Sequence, residues 1–201
     1  MTNSWHERFS TEQYVYGKKP NEFVVEVVQD LSRGKVLCIA EGEGRNAVYL
    51  ASLGFDVTAW DYAQAGLDKT KQLADEKGVD VKTELRDLAE VDWEEEQWDA
   101  IVHIFGHFPE NVMEQTLAGI KKALKPGGYY LSELYTKEQL HYGTGGPRNE
   151  ELLCDPMTLL QQFDGYFVRH FHIGEVHRVE GQLHTGIAHV VQSVFQKRKE
   201  E

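Results

Sequence analysis

Apolar residues along the chain switch between two spacings. Residues 36–40, Val-Leu-Cys-Ile-Ala, form an unbroken apolar run that stops at Gly42-Glu43-Gly44 and resumes at helical spacing as Ala47, Val48, Leu50, Ala51 and Leu53. This predicts a strand over 35–40, a tight turn and a helix. Before it, a short helix is expected over 4–9 and a second over 21–31, with Phe23, Val24, Val27, Val28 and Leu31 on its apolar face and Pro20 suited to its start. A second strand is expected over 55–60, where FDVTAW is rich in β-formers, closed by Asp61. A helix over 63–77 ends at Gly78, and residues 80–85 alternate as a third strand that delivers Arg86-Asp87-Leu88. A fourth strand over 98–105, a helix over 110–124 ending in LKPGG and a fifth strand over 129–135 complete the repeat. Strands alternating with helices imply right-handed crossovers and an α/β fold, a doubly wound, mostly parallel sheet.

After residue 135 the rhythm changes. Residues 136–153 carry GTGGP and read as a long loop. A helix around 156–163 follows, then two strand-like runs, 166–175 and 183–195, separated by HRVEGQ and expected to pair as an antiparallel hairpin. The charged tail 196–201 is expected to fray. With 201 residues, 41% of them hydrophobic, the expectation is one domain with a substantial core.

The formal charge of −12 opposes binding to a phosphate backbone, so nucleic acid is not an expected partner. The polar MTNSWHERFS start and the lack of a run of about 18 apolar residues predict a soluble, cytoplasmic protein with no membrane partner. Cys38 and Cys154 have no metal-type spacing and are expected as free thiols. No metal site is expected from the nine histidines: Gly106 falls between His103 and His107, and nothing completes a site around His170 and His172. A monomer and a homodimer are both compatible with the sequence.

The glycine turn calls for a small ligand. Gly42 and Gly44 allow positive φ and close approach, and the helix behind them aims unpaired N–H groups at it. The run from Gly42 to Ala47 fits G-x-G-x-x-G/A, with Asp61 near the distance at which an acid binds ribose hydroxyls. That pattern would allow a dinucleotide oxidoreductase, but Glu41 and Glu43 flank the first glycine and repel a pyrophosphate. A cationic, phosphate-free ligand such as S-adenosyl-L-methionine turns the same carboxylates into an advantage.

Together, the GEGRN turn, the acidic end of VTAWD, the RDL after the third strand and the LKPGG before the fifth resemble the class I S-adenosylmethionine-dependent methyltransferases. AWD, YVYGKKPNEF and GEVHR are similar to the tellurite-resistance and thiopurine methyltransferase-like branch. The resemblance implies a seven-stranded, Rossmann-like methyltransferase sheet with its last strand antiparallel, and methyl transfer to a small molecule such as a thiol, selenium or tellurium species. It divides the chain into an N-terminal lid segment (1–33), a cofactor-binding core (34–135) and a substrate side (136–201).

It places Asp61, followed by Tyr62, at the ribose, Asp87 and Leu88 at the adenine, and the backbone around Gly42, Gly44 and His103 along the methionine. Arg45 and Asn46 open the helix beside the cofactor, where Asn46 can also satisfy N-terminal donors. Where the family usually carries an acid, this chain has Cys38; Glu41 is expected to take over the contact to the methionine ammonium. Tyr14 and Tyr16 would lie in a lid over the sulfonium. His177 and Arg178 of GEVHR would face the substrate, His107 sits just past the fourth strand where the ligand crevice lies, and His107 or His177 is the candidate base. Arg148, beside GTGGP, is available for an anionic substrate. A protein that binds the cofactor without transferring its methyl is the other reading of the altered turn.

Overall fold

The computed structural model describes residues 4–181 and 184–199. Seven strands form one sheet in the order β3-β2-β1-β4-β5-β7-β6. They are β1 (Lys35–Ile39), β2 (Asp56–Asp61), β3 (Lys82–Leu85), β4 (Trp98–Ile104), β5 (Leu124–Tyr135), β6 (Phe167–Glu180) and β7 (His184–Gln196). β1 to β5 pair in parallel, whereas β7 is antiparallel to both β5 and β6. The helices are α1 (Ser4–Phe9), α2 (Glu22–Val27), α3 (Arg45–Ser52), α4 (Gln64–Lys77), α5 (Glu110–Ala123) and α6 (Pro156–Gln162).

The unbroken apolar run of β1 follows from burial on both faces. Val36 and Cys38 join one core cluster with Phe23, Val24, Ala47, Leu50 and Val102, while Leu37 and Ile39 join the other with Trp60, Ile101, Tyr130 and Phe163. The chain order reverses at β1, with β2 on one side and β4 on the other. Above the carboxyl ends of these strands lies the crevice in which open α/β sheets bind ligands.

Four boundaries differ from the sequence expectation. β6 continues to Glu180, so GEVHRVE lies within a strand and not in a hairpin turn; Leu183, the expected start of the next strand, lies outside the described residues. β5 begins at Leu124, with a register irregularity opposite Trp98 and Ala100. α2 closes at Val27 and tightens into a single 3-10 turn, Val28–Asp30. Residues 136–153 contain two more such turns, Lys137–His141 and Glu150–Leu152. Among the described residues, no helix is long and apolar enough to cross a membrane.

Candidate active site

The turn after β1 holds the chain in backbone conformations that side chains disfavour. Ala40, Gly42 and Gly44 have φ of 48, 65 and 88°. A Cβ on Gly44 would lie 2.6 Å from Thr70 of α4, so glycine is needed there for space as well as for φ. The turn is tied to the end of β2, because Gly42 N–H donates to Asp61 Oδ2 at 2.8 Å and Ala63 N–H donates to Oδ1 at 2.8 Å.

Gly44 is the N-cap of α3 and has no side chain to offer. Glu41 does the capping in its place: Asn46 N–H and Ala47 N–H donate to its Oε1 at 2.9 and 2.8 Å. Burial pushes the Glu41 carboxyl up to about 7 against the pull of these two donors and of Arg45. Burial raises the Asp61 carboxyl as well. The positive end of α3, where a dinucleotide fold seats its pyrophosphate, is therefore already filled by a carboxylate of the same chain.

Glu43 does not add to that repulsion as the sequence suggested. Its carboxylate is buried in an ion pair with Lys69 at 2.7 Å and accepts from Tyr16 N–H at 3.3 Å, which fastens the N-terminal segment to the turn. Lys69 also donates to the Gln13 carbonyl, and the Tyr14 hydroxyl donates to the Lys69 carbonyl. Tyr14 thus anchors the N-terminal segment on α4, while Tyr16 lines the cavity described next.

A cavity of 590 Å³ opens over the turn. Ala40 to Glu43, Arg45, Asn46, Asp61 and Tyr62 form one wall. Trp5, Arg8, Phe9, Tyr16 and Gly17 of the N-terminal segment also line it, and Ile104 to Phe108, Tyr135, His184, Leu152 and the glycine-rich loop around 143–148 complete the lining. Glu41, Gly42, Arg45, Asn46, Asp61, Tyr62, Tyr16 and His107 of the expected set line this cavity; Gly44 shapes the turn without lining it. The donor set fits a cationic nucleoside: Glu41 Oε2 takes no hydrogen bond from any described residue, Asp61 stands beside it, and the N-terminal lining is aromatic. Among the described residues, no three His, Cys, Asp or Glu side chains are grouped to hold a metal.

Five expected site residues lie elsewhere, and a sixth lines the cavity in another role. Asp87 is exposed and accepts from Ala89 N–H at 3.0 Å, holding its own turn, and Leu88 is buried in the core cluster with Trp60 and Trp93. His103 is fully buried between the Tyr130 hydroxyl and the Gly106 carbonyl, 2.9 and 2.8 Å away, and burial lowers it to about 4. The wall it was expected to form begins one residue later. His107 reaches the wall, but both ring nitrogens face backbone: Nδ1 lies 2.9 Å from the Leu152 carbonyl and Nε2 accepts from Tyr135 N–H at 3.3 Å. Burial lowers it to about 3, so it stays neutral and has no nitrogen free to act as a base. His177 is exposed on the outer face of β6. Arg178, its neighbour in the alternating strand, points inward and is buried one layer behind the cavity, with its guanidinium 4.5 Å from the Phe105 ring centre.

Arg178 belongs to a buried charge network that the sequence did not reveal. It pairs with Glu133 at 2.6 Å, and Arg45 pairs with Glu180 at 3.0 Å. Asn21 Nδ2 donates to both acids, at 3.3 and 3.1 Å, and Gln192 donates to Glu133 at 3.0 Å. The Asn46 side chain accepts from Asn21 N–H, so the start of α3 is locked to the start of α2. Against the upward push of its burial, the neighbouring His184 and the arginines Arg45 and Arg178 hold Glu180 down at about 2.

The family described as "Tellurite resistance protein TehB" matches residues 4–138. The chain belongs to the TehB family. A curated relative from Haemophilus influenzae, named "Probable S-adenosyl-L-methionine-dependent methyltransferase TehB", is 29% identical over 110 residues, 54% of this chain and 38% of the relative. The chain thus spans well under half the length of the TehB relative it matches. A solved structure of TehB from Haemophilus influenzae superposes with a TM-score of 0.71 at 19% identity, covering 96% of this chain and 66% of the other. The N-methyltransferase NodS from Bradyrhizobium japonicum, solved with S-adenosyl-L-homocysteine, superposes with a TM-score of 0.71 at 14% identity and 96% coverage of both chains. At these identities the structural likeness speaks for the fold, the Rossmann-like methyltransferase sheet that TehB shares with NodS.

Proposed function

We propose that the protein is an S-adenosyl-L-methionine-dependent methyltransferase acting on a small molecule, with thiols and selenium or tellurium species as the acceptor class. The observation that carries this reading is Glu41, which fills the anion seat of α3 with one oxygen, takes no hydrogen bond from a described residue on the other, and lines a cavity that Asp61 also lines. Such a site disfavours phosphate and favours a ribose beside a cationic amino acid. When bound, S-adenosyl-L-methionine supplies an electrophilic methyl group for in-line displacement. Glu41 meets the ammonium, Asp61 the ribose, and Phe9 and Tyr16 keep water from the sulfonium side. In this reading residues 34–135 hold the cofactor, 1–33 close over it and 136–201 face the acceptor.

Neither candidate base is free to serve, since His107 is committed to backbone and His177 faces outward. The reaction therefore relies on positioning an acceptor that is already nucleophilic. A soft thiolate, selenide or telluride meets that condition. The same lack of a base also suits a cofactor-binding protein without transfer activity. A single-turnover assay with methyl-labelled cofactor against thiols, thiopurines, selenite and tellurite separates the two. Label appearing in a small product supports transfer; tight cofactor binding with no labelled product across that set refutes it.

A further inference from the structure

Resting on the methyltransferase reading, the charge of the acceptor follows from the glycine-rich segment that lines the same cavity as Glu41. The chain has eight arginines. Seven donate hydrogen bonds or form ion pairs. The eighth, Arg148, makes no hydrogen bond, ion pair or ring contact with any described residue, and it lines the cavity. In a chain of net charge −12, a cation left unpaired on a cavity wall stands out from its surroundings.

The backbone leading to this side chain is held firmly. Gln139 Nε2 donates to the Thr144 hydroxyl at 3.2 Å and to the Gly145 carbonyl at 3.1 Å, and the Thr144 hydroxyl donates to the Ile187 carbonyl at 2.6 Å. Gly146, at φ 82°, lies so close to Tyr135 that a Cβ would come within 3.0 Å of its ring. Arg148 is thus a free head at the end of a pinned arm. The acids that line the cavity are already engaged, Glu41 and Asp61 by backbone N–H groups and Glu43 by Lys69.

We propose that Arg148 receives a carboxylate or oxyanion of the methyl acceptor, so that the preferred acceptors are small anions. The nucleophile is a separate group of the same acceptor and reacts as its anion, the proton already lost to solvent, so no base of the protein is required. The electron pair of the nucleophile forms the new bond to the methyl carbon as the carbon–sulfur bond of the sulfonium breaks and leaves its electrons on sulfur. The group held by Arg148 keeps its charge throughout. The contact is equally strong before and during transfer, so it acts on KM and not on kcat.

Mercaptoacetate and 2-mercaptoethanol, thiols of similar size with and without a carboxylate, provide the test with wild type, Arg148→Gln and Arg148→Lys. Wild type should favour mercaptoacetate. Arg148→Gln should lower that preference about tenfold, through KM, with Arg148→Lys recovering part of it. A wild type indifferent to the carboxylate, or an unchanged KM ratio in Arg148→Gln, overturns the proposal. Calorimetry of mercaptoacetate binding to protein saturated with S-adenosyl-L-homocysteine reads the same contact without turnover. If neither thiol is methylated but binding weakens about tenfold in Arg148→Gln, the anion contact of Arg148 stands and the transfer reading is decided by the wider acceptor set; equal binding by wild type and variant overturns the contact.

Discussion

The turn after β1 is held by bonds that span at most 28 residues, whereas the charge network behind Phe105 and Tyr135 is held by bonds that reach across as many as 159. Glu41 caps donors five and six residues ahead, and Asp61 binds Ala63 two residues on. Asn21, by contrast, reaches Glu180 across 159 residues and Glu133 across 112. The turn can be completed once β1 and α3 have met β2 and α4, its neighbours in the chain. The charge network is complete only when α2, β5, β6 and β7 are all in place, and its charges are buried where an unpaired one is costly.

That contrast predicts different kinds of failure. Arg178→Met leaves Glu133 buried without its cation and should cost about 4 kcal/mol in urea unfolding, the largest effect expected. Adding Glu133→Gln should restore a good part of it, and no recovery would show that the two do not act as a pair. Gly44→Ala breaks the turn, with a positive φ and a Cβ against Thr70, and should cost about 3 kcal/mol while weakening cofactor binding. A normal affinity in a folded Gly44→Ala variant would separate the turn from the ligand.

Glu41→Gln is the gentlest change, because its amide oxygen can still accept the α3 donors. Burial raises the Glu41 carboxyl to about 7, above its unfolded value. Its contribution to stability is thus fully present below about pH 4.5 and is lost as pH rises through about 7. A bound ammonium favours the ionised form, so cofactor affinity should rise as pH climbs through about 7 and then level off. Glu41→Gln should flatten that rise and lower affinity about tenfold above it, as read by calorimetry. A wild-type affinity independent of pH would remove Glu41 from the ammonium contact.

The difference between the turn and the network also explains what the sequence made legible. The glycine turn, Asp61 and the strands around them could be read because apolar spacing and turn chemistry both act over a few residues. The end of β6 could not, because its inward positions are Arg178 and Glu180, and a strand whose buried face is charged shows no apolar alternation. The resemblance implies that His177 and Arg178 both face the substrate, yet neighbours in a strand face opposite ways, and here one is exposed and the other buried. Glu43 looked like a free charge because its partner Lys69 lies 26 residues further on. The lining residues Trp5, Arg8 and Phe9 belong to a helix too short to mark a ligand face, and Phe105, Tyr135 and His184 look like ordinary strand-end residues until the sheet brings them together.

The carboxylate of Glu41 can also be regarded as a tethered inhibitor. A free phosphate or nucleotide seeking the start of α3 competes with a group that cannot diffuse away and whose effective concentration is set by the few residues joining it to the helix. Raising the concentration of such anions in solution changes that contest little. A ligand that leaves the tether in place and brings a positive charge to its second oxygen does not enter the contest at all.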